Sequence, residues 1–143
     1  MIELEIETPL YSTESKEKVE KALKTIVDTE YTLSEKYGQN ILYGKAQGLQ
    51  SLSKIYRRLR EQLIVESARK IIMRSITGDT AVFYLHKQAA FAGKIHFCLP
   101  ESESPMGAIK VSIRSNNIEE LVNWLSPKTV EGKPIEQEPP IDS

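Results

Sequence analysis

Three kinds of residue in this sequence have the chemistry to act on something: a histidine–cysteine group, scattered carboxylates, and a run of bases. His86, His96 and Cys98 come from two β-rich stretches, Ala81 to His86 and Lys94 to Leu99, expected to be hairpin neighbours. By strand parity His96 and Cys98 point the same way. Two imidazoles and a thiolate are zinc-ligand types, but a structural zinc site takes four ligands, and the nearby carboxylates, Glu101 and Glu103, fall in a polar loop. A Cys–His nucleophile pair would need a third group to orient the imidazole, and none is supplied. The histidines therefore read as wet or hydrogen-bonded strand residues and Cys98 as a small hydrophobe, with no metal, no cofactor and no catalytic residue expected. The carboxylate pair Glu119-Glu120 reads as the solvated outside of a helix. The seven glycines form no Gly-x-Gly-x-x-Gly or Walker-type run, which argues against nucleotide hydrolysis and dinucleotide redox chemistry.

The bases are the group with a functional reading. The net charge is −1, yet residues 1–30 carry eight acids against four bases, while residues 43–98 carry ten bases against three acids. Such asymmetry points to a polyanionic partner. Lys54, Arg57, Arg58 and Arg60 lie outside the apolar stripe of one expected helix, and Arg69, Lys70 and Arg74 outside that of the next. Guanidinium groups clamp phosphates bidentately, as in many nucleic-acid binders. Against this, Arg57–Glu61 and Glu66–Lys70 have the i,i+4 spacing of local ion pairs on an ordinary wet face. The polar parity of the late strands offers a second surface: Tyr84 and His86, then Lys94, His96 and Cys98, then Lys110, Ser112 and Arg114. This reads more simply as the wet side of a one-sided sheet.

These groups must be carried by a scaffold that the periodicities outline. Ile2 to Glu7 alternates strictly and Pro9 ends the strand. Ser12, Thr13 and Ser15 offer N-caps to a helix over about 15–27. Tyr31 to Tyr37 and Ile41 to Tyr43 flank a Gly38-Gln39-Asn40 turn, a hairpin signal. Leu49 to Ile76 is helical, but its two apolar stripes fall out of phase near Gln62, so the stretch is two helices or one bent one. Two strands and the loop from Glu101 to Gly107 follow. Another strand, over Ile109 to Arg114, precedes a last helix that Asn116 or Asn117 can cap. The expected order is β-α-β-β-α-α-β-β-β-α: an α+β fold, with a mostly antiparallel sheet covered on one face by helices.

Residues 1–127 read as a single domain of ordinary size. Residues 128–143, with many charges and few apolar residues, read as an extended or disordered tail. With one cysteine there is no internal disulfide; no stretch resembles a signal peptide, and no apolar run approaches the ~20 residues of a membrane span. The expected compartment is therefore a reducing cytoplasm.

One block gives a resemblance. Phe83-Tyr84-Leu85-His86-Lys87-Gln88-Ala89-Ala90-Phe91-Ala92-Gly93-Lys94-Ile95 resembles a family of uncharacterised archaeal proteins labelled as predicted RNA-binding proteins. Pro9-Leu10-Tyr11-Ser12-Thr13-Glu14, Ser104-Pro105-Met106-Gly107-Ala108-Ile109 and Trp124-Leu125-Ser126-Pro127-Lys128-Thr129 match in the family's order. Many members carry Asn where this chain has His86, which further lowers a catalytic or metal role for it. The family is similar in fold to the large-subunit ribosomal protein that binds the smallest ribosomal RNA, so the resemblance implies a ribosomal-protein-like fold and RNA as partner, by analogy. The expectation is thus a non-enzymatic RNA-binding or ribonucleoprotein-associated protein. Its phosphate contacts would come from Lys54, Arg57, Arg58, Arg69, Arg74, Lys87 and Lys94. The alternative is a protein–protein assembly subunit, a homodimer built through exposed strand edges.

Overall fold

The computed structural model describes residues 1–99 and 107–140. Alternation in the sequence becomes a six-stranded sheet. Strand β1 (Glu3–Pro9) buries Leu4, Ile6 and Thr8 and turns Glu3, Glu5 and Glu7 outward. Helix α1 (Lys16–Lys24) begins where Ser15 accepts the Lys18 amide at 3.4 Å, and it buries Val19, Ala22 and Leu23. Strands β2 (Tyr31–Lys36) and β3 (Gln39–Gln47) form the expected hairpin. Its two-residue loop, Tyr37 (φ 53°) and Gly38 (φ 77°), has the doubly positive φ that matches strand twist.

The phase slip near Gln62 is a real break. After a short 3-10 turn, α2 (Ser53–Glu61) ends on a leucine in the left-handed region, Leu63 (φ 58°). The Ile64 amide bonds back to the Leu59 carbonyl and the Leu63 amide to that of Arg60, closing a Schellman motif. Helix α3 (Val65–Ser75) then restarts on a new axis and buries Val65, Ala68 and Ile72. Strand β4 (Thr80–His86) follows, then a short helix α4 (Lys87–Phe91), the two-residue strand β5 (Phe97–Cys98), β6 (Ala108–Arg114) and α5 (Ile118–Leu125).

The sheet order is β2-β3-β1-β6-β4-β5 and every pairing is antiparallel. The fold is therefore α+β, and the buried sides of its strands share one apolar core with α1, α2, α3 and α5. No helix among the described residues is long and apolar enough to cross a membrane.

Four local expectations need correction. The stretch 87–93, expected as a strand connection, contains α4, and the following strand shrinks to Phe97–Cys98. Gln62 takes over the ladder's work there: its amide accepts from the Ile95 N–H and donates to the Ile95 carbonyl, both at 2.8 Å. Asn117 takes the N-cap position of α5, but its side chain makes no cap bond to the helix; Ser115 Oγ accepts the Asn117 amide at 3.2 Å. Beyond residue 127 the chain is extended but not loose. It forms a hairpin, β7 (Thr129–Val130) with β8 (Lys133–Pro134), and the Ile135 amide bonds back to the Lys128 carbonyl at 2.8 Å. The loop carboxylates Glu101 and Glu103, and most of the Glu101–Gly107 loop, lie outside the described residues.

Candidate nucleic-acid interface

Helix α3 decides where free positive charge can collect. Because Val65, Ala68 and Ile72 face the core, the same 3.6-residue period turns Glu66, Lys70 and Arg74 to solvent and leaves Arg69 and Met73 half-buried on the flank. The segment leaving α5 runs alongside, where Arg69 Nη1 donates to the Ser126 carbonyl at 3.1 Å. The β7–β8 hairpin is held from behind by Glu136, whose carboxylate takes a two-pronged bond from Arg60 at 2.9 and 2.7 Å and the Tyr56 hydroxyl at 3.2 Å. Arg60 also donates to the Leu125 carbonyl at 2.9 Å and lies 3.4 Å from the Tyr56 ring centroid; that ring stacks on Trp124 at 4.7 Å. Hydrogen bonding from Arg60 holds the Glu136 carboxyl below the usual carboxylate range, against the opposing effect of burial.

Between α3 and the hairpin this leaves a cleft of about 530 Å³, lined by Arg69, Lys70, Arg74 and Lys128 with Glu66 as its only acid. A second cavity, about 300 Å³, adjoins it; Arg69 and Lys128 line both, and Asn123, Ile135 and Gln137 complete the second.

The other expected phosphate ligands divide sharply. Lys54 Nζ donates to the Lys24 carbonyl at 2.8 Å, at the end of α1. Arg58 bridges the Thr25 carbonyl at 2.7 Å and the Gly93 carbonyl at 2.6 Å, tying α2 to two turns. Arg57 is exposed and 3.6 Å from Glu61, the local pair its spacing allows; Glu66–Lys70 is not among the ion pairs of the described residues. Lys94 is exposed and lies outside the cleft.

Lys87 requires a correction: its side chain is fully buried and cannot reach a phosphate. Its ammonium donates to the Pro9 carbonyl at 2.7 Å and to Glu14 at 3.1 and 3.3 Å, with the Tyr11 ring 5.4 Å away. Burial pushes its pKa down, while the hydrogen bond and charge of Glu14 push it back up. A Cβ on Gly107 would stand 2.4 Å from the Pro9 ring, so only glycine fits there. Three of the blocks that carry the family resemblance thus meet around one buried ion pair. The signal was present in the sequence: Ala81, Phe83, Leu85 and Lys87 share one parity, and that parity is the buried one.

The open sheet face is not cationic either. Glu3, Glu5 and Glu7 of β1 stand in register beside Arg114, Ser112 and Lys110 of β6, and Glu3 bonds Arg114 directly. Tyr43 donates to Glu5 at 2.9 Å, and burial with that bond pushes its pKa up to about 12. His86 and His96 are neighbours as expected, with rings 5.5 Å apart, but no group of three metal-ligand side chains forms among the described residues.

As a class, then, this is an open-sheet α+β domain with four cations around one cleft. Residues 3–115 match the family model described as RNA binding, and the chain belongs to that family. It is 38% identical to a UPF0201 protein of Aeropyrum pernix over 94% of this chain and 91% of that one. A UPF0201 protein of Sulfurisphaera tokodaii is 39% identical, with 97% of both chains covered. Among solved structures, a UPF0201 protein from Methanococcus jannaschii superposes with a TM-score of 0.83 at 29% identity, covering 94% of this chain and 99% of that one. A DUF54 protein from Sulfolobus solfataricus, at 18% identity and a TM-score of 0.61 over 87% and 96% of the two chains, shares the fold.

Proposed function

We propose that this protein is a non-enzymatic RNA-binding protein of the cytoplasm whose phosphate contacts come from Arg69, Lys70, Arg74 and Lys128. The observation that carries the reading is the cleft itself, where these four cations face one carboxylate. The family's description supports the class of partner, and the likeness to the ribosomal protein that binds the smallest ribosomal RNA belongs to the same proposal. Relative to the sequence-based set, Lys70 and Lys128 enter; Lys54, Arg58 and Lys87 leave because they bond carbonyls or a carboxylate of the fold, and Arg57 and Lys94 leave because they lie outside the cleft.

The test is fluorescence anisotropy with a labelled RNA at several salt concentrations. Four phosphate contacts give a log–log salt slope of about −3 on single strands. Lys70→Glu with Arg74→Glu should weaken binding across all sequences alike and flatten that slope. Wild-type protein with no measurable affinity at ~50 mM salt, where such contacts are strongest, ends the proposal.

A second reading rests on β2, an edge strand that carries a half-exposed Leu33 beside the fully exposed Tyr37. Self-association through that edge would give a stable dimer by light scattering after nuclease treatment. A monomer under those conditions discards it.

A further inference from the structure

The cleft does not end at its phosphate ligands. Arg69 and Lys128 form the partition between it and the smaller cavity, and the far walls of that cavity differ in chemistry from the cationic side. Asn123 projects from the outer face of α5, and its side-chain amide has no hydrogen-bond partner among the described residues. Gln137 donates from Nε2 to the Ile135 carbonyl at 3.1 Å, which fixes its amide and leaves the carbonyl oxygen and one N–H unused. Ile135, about half exposed, supplies an apolar wall. A paired donor and acceptor on each of two amides, next to an apolar surface, is the chemistry that reads the edge of a nucleobase. At about 300 Å³ the cavity falls at the lower end of the range that holds a small ligand.

We propose that this cavity takes one unstacked base of a single-stranded RNA, its phosphate held between Arg69 and Lys128 and its neighbours' phosphates running toward Lys70 and Arg74. The proposal rests on the RNA-binding reading and adds to it a preference for unpaired RNA and a site of base discrimination. A duplex cannot satisfy it, because its base edges are engaged with one another and cannot enter a side cavity. The docking of residues 135–137 is part of the site. Glu136 is tied to Arg60, and the residues on either side of it, Ile135 and Gln137, line the cavity. Arg60 is therefore a positioning residue for the base pocket and not a phosphate ligand.

Two measurements test this on the full chain. In the first, side-chain amide signals are followed by NMR during titration with adenosine monophosphate and, separately, inorganic phosphate. The nucleotide should shift the Asn123 and Gln137 amides, and phosphate should leave them in place. In the second, Asn123→Leu and Gln137→Leu should each weaken single-stranded RNA at least about fivefold, the low end of what losing a base-edge pair costs, and leave duplex or abasic RNA unchanged. Equal affinity for single-stranded, duplex and abasic RNA, with both variants behaving as wild type, overturns the base pocket and leaves the phosphate cleft standing. No affinity for any RNA overturns the proposed function and this inference together. The NMR arm needs no substitution, so a variant that folds poorly does not protect the idea.

Discussion

Lys87 and Arg74 belong to the same basic segment, yet the fold uses them in opposite ways. Lys87 is buried on Glu14 and the Pro9 carbonyl, where β1, α1 and the end of β4 converge. Arg74 stands on the outer face of α3 in a cleft with three other cations. The difference follows from what surrounds each base. Backbone carbonyls at helix ends and turns lack intrahelical partners, and a long cation is a convenient donor to them. Arg58 serves the Thr25 and Gly93 carbonyls and Lys54 serves Lys24 in that way. α3 has one such tie, from Arg69 to the Ser126 carbonyl just past α5, whereas Lys70 and Arg74 on its outer face bond no carbonyl or carboxylate among the described residues, so their charge stays available. Counting bases along a sequence measures supply, whereas availability is set by the carbonyls and carboxylates nearby.

The contrast is broken most forcefully at Lys87. Lys87→Met leaves Glu14 buried and without its cation, with the Tyr11 amide, at 3.0 Å, the only donor still bonded to its carboxylate among the described residues. Removing one partner of a buried pair costs about 3–5 kcal/mol, so thermal or urea unfolding should show a loss of that size. Adding Glu14→Leu should recover much of it, because an apolar pair no longer carries a buried charge. A single variant as stable as wild type would mean that the pair is not holding these three segments together.

Much of the scaffold was legible because local signals agreed with the tertiary outcome. Alternation in Ile2–Glu7 gave a strand with acids outward, and the phase slip at Gln62 marked a true helix break. What was not legible depended on contacts far apart in sequence. Glu136 finds Arg60 across 76 residues, and this contact turns a polar, proline-rich end into the wall of the candidate site. Of the cleft, Arg69, Lys70 and Arg74 could be read from the period of α3. Lys128 could not, since its place depends on the route of the chain after α5. Lys87 was misread although its strand parity placed it inside, because a lysine is rarely buried without a partner and that partner, Glu14, lies 73 residues away.

A smaller effect belongs to the clamp behind the cleft. The Arg60 hydrogen bond depresses the Glu136 pKa, so its contribution is fully present above the ordinary carboxylate range and is lost as pH falls through the depressed value. Glu136 is nearly half exposed, so solvent screening holds that contribution under about 1 kcal/mol. Trp124, the one tryptophan, stacks on the Tyr56 ring that Arg60 covers, and its emission should report release of residues 135–137. The emission should change on acidification below that range, before global unfolding, and Glu136→Gln should show the change already at neutral pH. A variant whose acid profile matches wild type would place the anchor of the hairpin elsewhere.

The smallest expected effect on stability is at the cleft's own cations, and it sharpens the comparison from the other side. Lys70 and Arg74 make no ion pair among the described residues, and both sit on a helix face where alanine is a good helix former. Lys70→Ala with Arg74→Ala should therefore change stability by no more than about 0.5 kcal/mol, about 1–2 °C in Tm for a chain of this length. The same pair should flatten the salt slope of RNA binding by about 1.4, the share of two phosphate contacts on a single strand. A clear loss of stability would move these residues into the class of Arg58 and Lys87, whose positive charge serves the fold. An unchanged Tm with a flatter slope would separate the two kinds of base in a single variant.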